Sequence, residues 1–204
     1  RQMCIRDSIM IASDEIYSEL TYSGKHCSIA EIEGMRERTI VINGFSKSFA
    51  MTGWRLGFLG GPKEIVSQML KLHQYAIMSS PTVSQYAAIV AMHSCQKDID
   101  AMRNEYNIRR RFVVDSFNKL GLKCFAPQGA FYVFPCIKST GMTSTDFCEK
   151  LVYTKKVAVV PGDAFGECGE GYVRVSYAYS LNHLREAIKR IGEFLEDIKN
   201  GNVQ

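Results

Sequence analysis

The clearest structural signal in this 204-residue chain is the segment TIVINGFSK, residues 39–47. A continuous run of β-branched residues is typical of a strand that is buried on both faces of a parallel sheet. Here the run ends in a Gly-Phe-Ser turn that Lys47 follows. In open α/β sheets, ligands bind beyond the carboxyl ends of the strands. The segment therefore predicts a buried parallel strand that presents Lys47 at a ligand site.

A second apolar run, IMIA at residues 9–12, precedes Ser13 and Asp14. It predicts another strand buried on both faces, with Asp14 at the same edge of the sheet. Two strands are too few for a parallel sheet, which needs crossovers and neighbouring strands. We therefore expect further sequence before these residues, so that the chain is the C-terminal part of a longer enzyme.

The middle of the chain predicts helices. Pro62 and Pro81 each stand where a helix is expected to begin. A longer helix is expected from about Asp98 to Leu120, and Gly121 stands at its C-terminal end. Strands followed by helices indicate an α/β first part.

The pattern after Gly121 is different. It predicts short strands, a helix between them, and a last helix with Ser180 as its N-cap. The strands are expected at residues 122–125, 130–134, 157–160 and 172–177, and the helix at residues 144–153. This part is α+β. We therefore predict two domains, residues 1–96 and residues 97–204.

Composition excludes several classes of protein. The chain is 46% hydrophobic, which excludes a disordered protein. Its formal net charge of +4 is too small to argue for nucleic-acid binding. No apolar run approaches the ~18 residues of a membrane span, so we expect no membrane partner. Residues 1–8 lack the apolar core of a signal peptide.

The number and spacing of the cysteines and histidines indicate the cellular compartment and whether a metal site is expected. The seven cysteines are odd in number and form no CxxC pair, which favours reduced thiols in the cytoplasm over disulfides. The four histidines lack the spacing of zinc ligands, so we expect no metal site.

Lys47 and Asp14 are the first candidate functional residues. A lysine at the floor of a site is desolvated, and its neutral amine can form a Schiff base, although a surface lysine is the commoner alternative. Asp14 can cap the next helix or hold a cation. Tyr17, three residues on, would lie on the same side if the segment turns, so that a carboxylate and a phenol could face one ligand.

Two arginines are further candidates. Arg55 could form a salt bridge or bind a phosphate. Arg174 lies between Val173 and Val175 in an apolar strand, where an arginine is costly unless it is paired. Arg174 therefore either faces solvent or meets an anion.

Together these segments resemble the class I and II aminotransferases of fold type I. SDEIY at residues 13–17 resembles their pyridine-binding strand. GFSKSFAMTGWRLG at residues 44–57 matches the pyridoxal-phosphate attachment pattern at every defined position. GYVRVS at residues 171–176 resembles the strand that carries the substrate-carboxylate arginine. Two more landmarks, PQGAFY at residues 127–132 and PGDAFG at residues 161–166, follow the family's order.

The resemblance implies a fold and a function. The fold is the C-terminal part of a fold-type I pyridoxal-phosphate transferase: residues 1–96 belong to the large, mainly parallel α/β domain, and residues 97–204 form the small α+β domain. The function is transfer of an amino group between an α-amino acid (aspartate, aromatic or similar) and a 2-oxo acid. A homodimer is implied for the full-length enzyme.

The resemblance also implies roles for the candidates. Lys47 would bind the cofactor covalently and then act as the general base in the proton shift. Asp14 would keep the pyridine nitrogen protonated, so that the ring is an electron sink. Tyr17 would donate a hydrogen bond to the phenolic oxygen of the cofactor.

The remaining candidates would bind anionic groups. Ser46 and Arg55 would bind the cofactor phosphate, and Arg174 would bind the substrate α-carboxylate with two hydrogen bonds. Gly44 stands where some relatives have a serine, so one phosphate contact could be lost. No metal is implied.

Some family parts are absent from this sequence. They are the aromatic residue that stacks on the ring, an asparagine that contacts the phenolic oxygen, further phosphate donors and a tyrosine from the partner subunit. The isolated chain could therefore be inactive. Two alternatives remain open at this point: a β-elimination lyase of the same fold, and a non-catalytic aminotransferase-like regulatory domain.

Overall fold

The computed structural model describes residues 9–202, and the chain divides into two compact units, Arg1–Arg103 and Asn104–Gln204. The division falls within a long helix, Gln96–Lys119. The predicted domain boundary between residues 96 and 97 lies at the start of that helix and stays a prediction.

A three-stranded sheet organises the first unit. Its strands are β1 (Ile11–Asp14), β2 (Thr39–Gly44) and β3 (Gly57–Gly60), with β2 in the centre. β2 pairs in parallel with β1 and antiparallel with β3. The two strands predicted from apolar runs are present, although β1 lies two positions further along than its run. β3 was not predicted. It is only four residues long and begins and ends with glycine, so it shows no recognisable hydrophobic pattern.

The first unit also contains helices. α1 (Phe45–Ser48) lies between β2 and β3, and α2 (Lys63–Ala76) and α3 (Thr82–Ser94) follow β3, before α4 (Gln96–Lys119). Pro62 and Pro81 are the N-cap residues of α2 and α3, which confirms the two predicted helix starts. No helix within residues 9–202 combines the length and apolar character that a bilayer crossing requires.

The first sheet is only partly covered within the described residues. β1 and β2 were expected to be buried on both faces by the rest of the enzyme, with an apolar face uncovered in this chain itself, and β1 alternates half-buried and exposed residues. Ile42 of β2 and Leu59, which lies opposite it in β3, are 39% and 38% exposed. A continuous apolar run reflects a strand with two covered faces, whereas within the described residues one face of this sheet remains partly open.

The second unit contains a small antiparallel sheet and two helices beside α4. β4 (Tyr132–Val133) and β5 (Val160–Pro161) flank β6 (Val173–Ser176). The helices are α5 (Ser144–Lys155) and α6 (Leu181–Lys199), and the Ser180 hydroxyl caps α6 as predicted. The largest side chains that are fully buried in this unit are those of Tyr177, Phe117, Phe147 and Phe194. The Phe147 and Phe194 rings meet edge to face, with centroids 5.2 Å apart.

Two predicted strands of the second unit are corrected. Residues 122–125 form no strand, because the Asn118 side chain bonds both the N–H and the carbonyl of Cys124, each at 3.0 Å. A side chain thus satisfies backbone groups that a partner strand would otherwise satisfy. The predicted strand at residues 157–160 is displaced to β5, where Val160 lies opposite Arg174 and Pro161 opposite Val173.

Candidate active site

The carboxyl ends of β1 and β2 bring two of the predicted residues to one edge of the first sheet. Asp14 is the last residue of β1 and lies opposite Ile42 of β2. β2 ends at Gly44, and Ser46 and Lys47 lie in α1 directly after it. Because the two strands are parallel, Asp14 and the Lys47 turn leave the sheet at the same edge.

Hydrogen bonds and packing fix the backbone of the Lys47 turn, residues 44–48. The Gly44 N–H donates to the Asn43 side-chain oxygen at 2.7 Å, and the Phe45 N–H donates to the Leu56 carbonyl at 3.2 Å. A Cβ atom on Gly44 would lie 3.2 Å from the Gly57 Cα, so the two backbones approach closely here. Phe45 is buried in a cluster with Met51, Ala88 and Ala91. Lys47 therefore extends from a turn that the core anchors on one side.

Asp14 has an exposed carboxylate that also shapes the backbone after it. One oxygen, Oδ1, accepts a hydrogen bond from the Ile16 N–H at 3.1 Å. The chain turns at residues 16–17, and Tyr17 is half-buried just before a short 3-10 helix, Ser18–Leu20. This bond closes a turn and is not the helix cap considered for Asp14, because the N-cap residue of the 3-10 helix is Tyr17 and no side-chain hydrogen bond caps it.

Glu15, the next residue, is the centre of a cluster that sequence analysis missed. Its carboxylate accepts hydrogen bonds from Ser28 at 2.6 Å, from His26 at 2.9 Å and from Ser13 at 3.1 Å. Burial by itself would raise the Glu15 pKa, but these hydrogen bonds and the attraction of His26 outweigh burial and hold the pKa below its ordinary value. His26 and Ser28 lie in the loop at residues 22–28, so no short motif marks them as partners of Glu15.

Arg55 lies in an exposed turn between α1 and β3. Its backbone is left-handed, with φ of 51°, and one guanidinium N–H donates to the Thr52 carbonyl at 2.8 Å. The preceding residue, Trp54, accepts a hydrogen bond of 2.8 Å from the Ser84 hydroxyl of α3. The turn that carries Arg55 is therefore tied to a helix, a contact that the sequence did not predict.

Arg174 lies in β6 of the second unit and is half-buried. Its guanidinium carbon lies 4.6 Å from the ring centre of Tyr132 and 4.7 Å from that of Phe165. Both distances are in the range of cation–π attraction. Tyr132 belongs to the PQGAFY segment and Phe165 to the PGDAFG segment, but their contact with Arg174 was not predicted.

The residues at the edge of the first sheet fit pyridoxal phosphate. Lys47 supplies an amine, Asp14 an exposed carboxylate, Tyr17 a phenol, and Ser46 and Arg55 anion-binding donors. Gly44 and Gly57 approach so closely that a side chain at either position would crowd the backbone beside the lysine turn. Within residues 9–202, no group of three or more His, Cys, Asp or Glu side chains is arranged to hold a metal ion.

Comparisons with known proteins identify the family of this chain. Residues 1–191 match the family model described as aminotransferase class I and II. The chain is 47% identical to an aspartate aminotransferase of Pyrococcus abyssi over 96% of this chain and 51% of that protein. It is 46% identical to aromatic-amino-acid aminotransferase 2 of Thermococcus litoralis, with the same coverage of both chains.

A solved structure shows the same fold. The aromatic aminotransferase of Pyrococcus horikoshii superposes with a TM-score of 0.94 at 45% identity, over 97% of this chain and 54% of that one. This chain thus spans about half the length of the relatives that it matches. It belongs to the class I and II aminotransferase family, whose cofactor is pyridoxal 5′-phosphate.

Proposed function

We propose that this chain is the C-terminal half of a pyridoxal-phosphate-dependent aminotransferase. The enzyme moves an amino group between an α-amino acid (aspartate, aromatic or similar) and a 2-oxo acid. The observation that carries the proposal is the placement of Asp14 and the Lys47 turn at one edge of adjacent parallel strands. The names of relatives at 46–47% identity support amino transfer over the lyase and regulatory alternatives.

Three residues act on the ring and on the transferred proton. When bound, the cofactor supplies an electron sink for the substrate Cα–H bond that is broken. Lys47 would be its covalent attachment point and, once released, the general base that takes the proton from the substrate Cα and returns it. Asp14, with its exposed carboxylate, would keep the pyridine nitrogen protonated, and Tyr17 would donate a hydrogen bond to the phenolic oxygen of the cofactor.

Three more residues bind anions. Ser46 and Arg55 bind the phosphate, Ser46 through its hydroxyl and Arg55 through the guanidinium N–H groups that Thr52 leaves available. Arg174 binds the α-carboxylate of the substrate. This last assignment is supported by the two aromatic rings that contact the Arg174 guanidinium without providing an anionic partner.

We further propose a homodimer located in the cytoplasm. Large apolar side chains of the first unit are exposed, such as Leu72 at 73% and Tyr75 at 94%, as an interface would require. The six cysteines within the described residues are free thiols, which fits a reducing compartment.

Borohydride reduction of the full-length protein tests the attachment site. Reduction fixes the cofactor on its lysine, and peptide mapping is expected to place the label on Lys47. The matched control Lys47→Arg keeps the positive charge and is expected to carry no label. A label on Lys63 or Lys71 instead would overturn the assignment. A half-reaction screen with a panel of amino acids then identifies the preferred donor.

A further inference from the structure

Arg174 differs from other arginines of the second unit in its partners. Arg109 and Arg190 each pair with a glutamate of their own helix, at 3.6 Å and 2.8 Å. Arg174 instead contacts two aromatic rings, and within residues 9–202 its side chain has no carboxylate partner. An aromatic ring attracts the positive charge but leaves the guanidinium N–H donors without a strong acceptor. These donors are therefore available to an anion.

The position of Tyr132 follows from strand pairing. Tyr132 of β4 lies opposite Ser176 of β6, and Arg174 is two residues before Ser176 on the same face. Diagonal neighbours of this kind are within reach of long and aromatic side chains in an antiparallel pair. The pairing of β4 with β6 thus brings the Tyr132 ring to the guanidinium.

The position of Phe165 follows from a tight turn after β5. Val160 of β5 lies opposite Arg174, and the chain then enters a 3-10 helix, Gly162–Phe165. A Cβ atom at Gly162 would overlap the carbonyl oxygen of Gly169, so only glycine fits this turn. The Phe134 ring supports the Phe165 ring edge-on, with centroids 5.7 Å apart. The turn and the contact with Phe134 therefore place Phe165, which is 48% exposed.

We propose that Tyr132 and Phe165 are positioning residues, which hold the Arg174 guanidinium so that its N–H groups face the substrate carboxylate. The proposal rests on the proposed function, in which Arg174 binds that carboxylate. A free arginine side chain has many rotamers, and fixing it before binding removes an entropic cost from each substrate that binds. Tyr132 and Phe165, which lie in two separate sequence motifs, then both orient Arg174.

Kinetics of the full-length holoenzyme test this role. Phe165→Leu and Tyr132→Leu remove a ring and keep an apolar side chain, whereas Phe165→Tyr and Tyr132→Phe keep the ring. Each Leu variant is expected to raise KM for the amino donor about 5- to 10-fold, with kcat within about twofold of wild type. The ring-retaining variants are expected to stay within about twofold in both constants.

A second measurement observes Arg174 directly. In the cofactor-free protein, the NMR signal of the Arg174 Nε–H group is expected to be displaced by the ring currents and to move in either Leu variant. Pyruvate, as the probe carboxylate, is expected to shift this signal at lower concentration in wild type than in the Leu variants.

If KM is unchanged in the Leu variants while Lys47 still carries the cofactor, the positioning role is overturned and the proposed function stands. An equal rise of KM in the ring-retaining variants would also overturn it. Absence of cofactor on Lys47 would instead contradict the proposed function.

Discussion

The Tyr177 hydroxyl donates a hydrogen bond of 2.9 Å to the carbonyl of Ala130. Tyr177 is fully buried, and Ala130 has a left-handed backbone with φ of 59°. The Tyr177 N–H also donates to the Phe131 carbonyl at 3.0 Å. Together these bonds hold the start of β4 against the end of β6 and so set the position of Tyr132, which contacts Arg174.

Tyr177→Phe is expected to lower the free energy of unfolding of the second unit by about 1 kcal/mol, the usual net contribution of one hydrogen bond. The aromatic ring and its packing remain, so the change isolates the hydroxyl. Chemical denaturation measures the loss. Ala130→Gly is the control, since it keeps the carbonyl and suits the left-handed backbone, and it is expected to change stability by less than about 0.5 kcal/mol. Equal stability of Tyr177→Phe and wild type would show that this hydrogen bond contributes nothing.

Asp14→Asn is expected to leave the cofactor bound to the full-length enzyme but to slow transamination by more than about 100-fold. The amide keeps the shape and can still accept the Ile16 N–H, but it cannot hold a proton on the ring nitrogen. Cofactor content from absorbance and turnover from a coupled assay separate the two effects. Asp14→Glu keeps the charge and is expected to retain more activity. Turnover near wild type in Asp14→Asn would contradict the role of Asp14.

Glu15→Gln is expected to destabilise the first unit by about 1.5–3 kcal/mol at pH 7, because the carboxylate accepts three hydrogen bonds. The pKa of Glu15 is lowered in the folded protein from an ordinary value of 4.5. A lowered folded pKa means that the stabilisation is fully present above the unfolded value and is lost as the pH falls through the folded value. The difference between Glu15→Gln and wild type should therefore shrink below about pH 4. Urea melts at pH 7, 5 and 3 measure this difference, and a gap that widens in acid would refute the argument.

Cys124 and Cys148 are expected to resist alkylation in the native protein at pH 8. Burial raises the pKa of both thiols to about 11, and for Cys148 the nearby Asp163 adds to the effect. The thiolate is the reactive form, so it is scarce at this pH. Iodoacetamide followed by mass spectrometry should modify the exposed Cys27 and Cys168 first. In urea all four are expected to react alike, and fast native labelling of Cys124 would contradict its burial.

Hydrogen exchange on the purified 204-residue chain is expected to protect residues 184–195 strongly and residues 39–43 weakly. α6 buries Leu184, Ile191, Phe194 and Leu195, whereas the sheet that contains β2 has exposed apolar side chains. Amides in a well-packed core open only with global unfolding, and those in a poorly covered sheet open more readily. Equal and high protection of both segments would show that the first unit closes its own core.

Local signals explain how much of the fold the sequence predicted. Pro62 and Pro81 mark helix starts, Ser180 caps the last helix and Gly121 has the positive φ of a helix end. Each of these residues acts on the backbone within a few positions of itself, so neighbouring residues are enough to predict its effect.

The predicted strands were less accurate because strand ends depend on distant partners. Asn118 occupies the backbone groups of Cys124, and no pattern within residues 122–125 could show this. β5 is two residues long because only Val160 and Pro161 reach β6. Hydrogen bonds between segments remote in sequence decide such lengths.

The sequence by itself determined the chemical identity of the candidate site: an amine, carboxylates, a phenol and guanidinium groups in motifs of one family. Only the tertiary structure decided what surrounds these groups. It brought His26 and Ser28 to Glu15, and it brought Tyr132 and Phe165 to Arg174. The physical reason is that motifs specify residue types along the chain, whereas contacts across loops and strands arise only when the backbone folds.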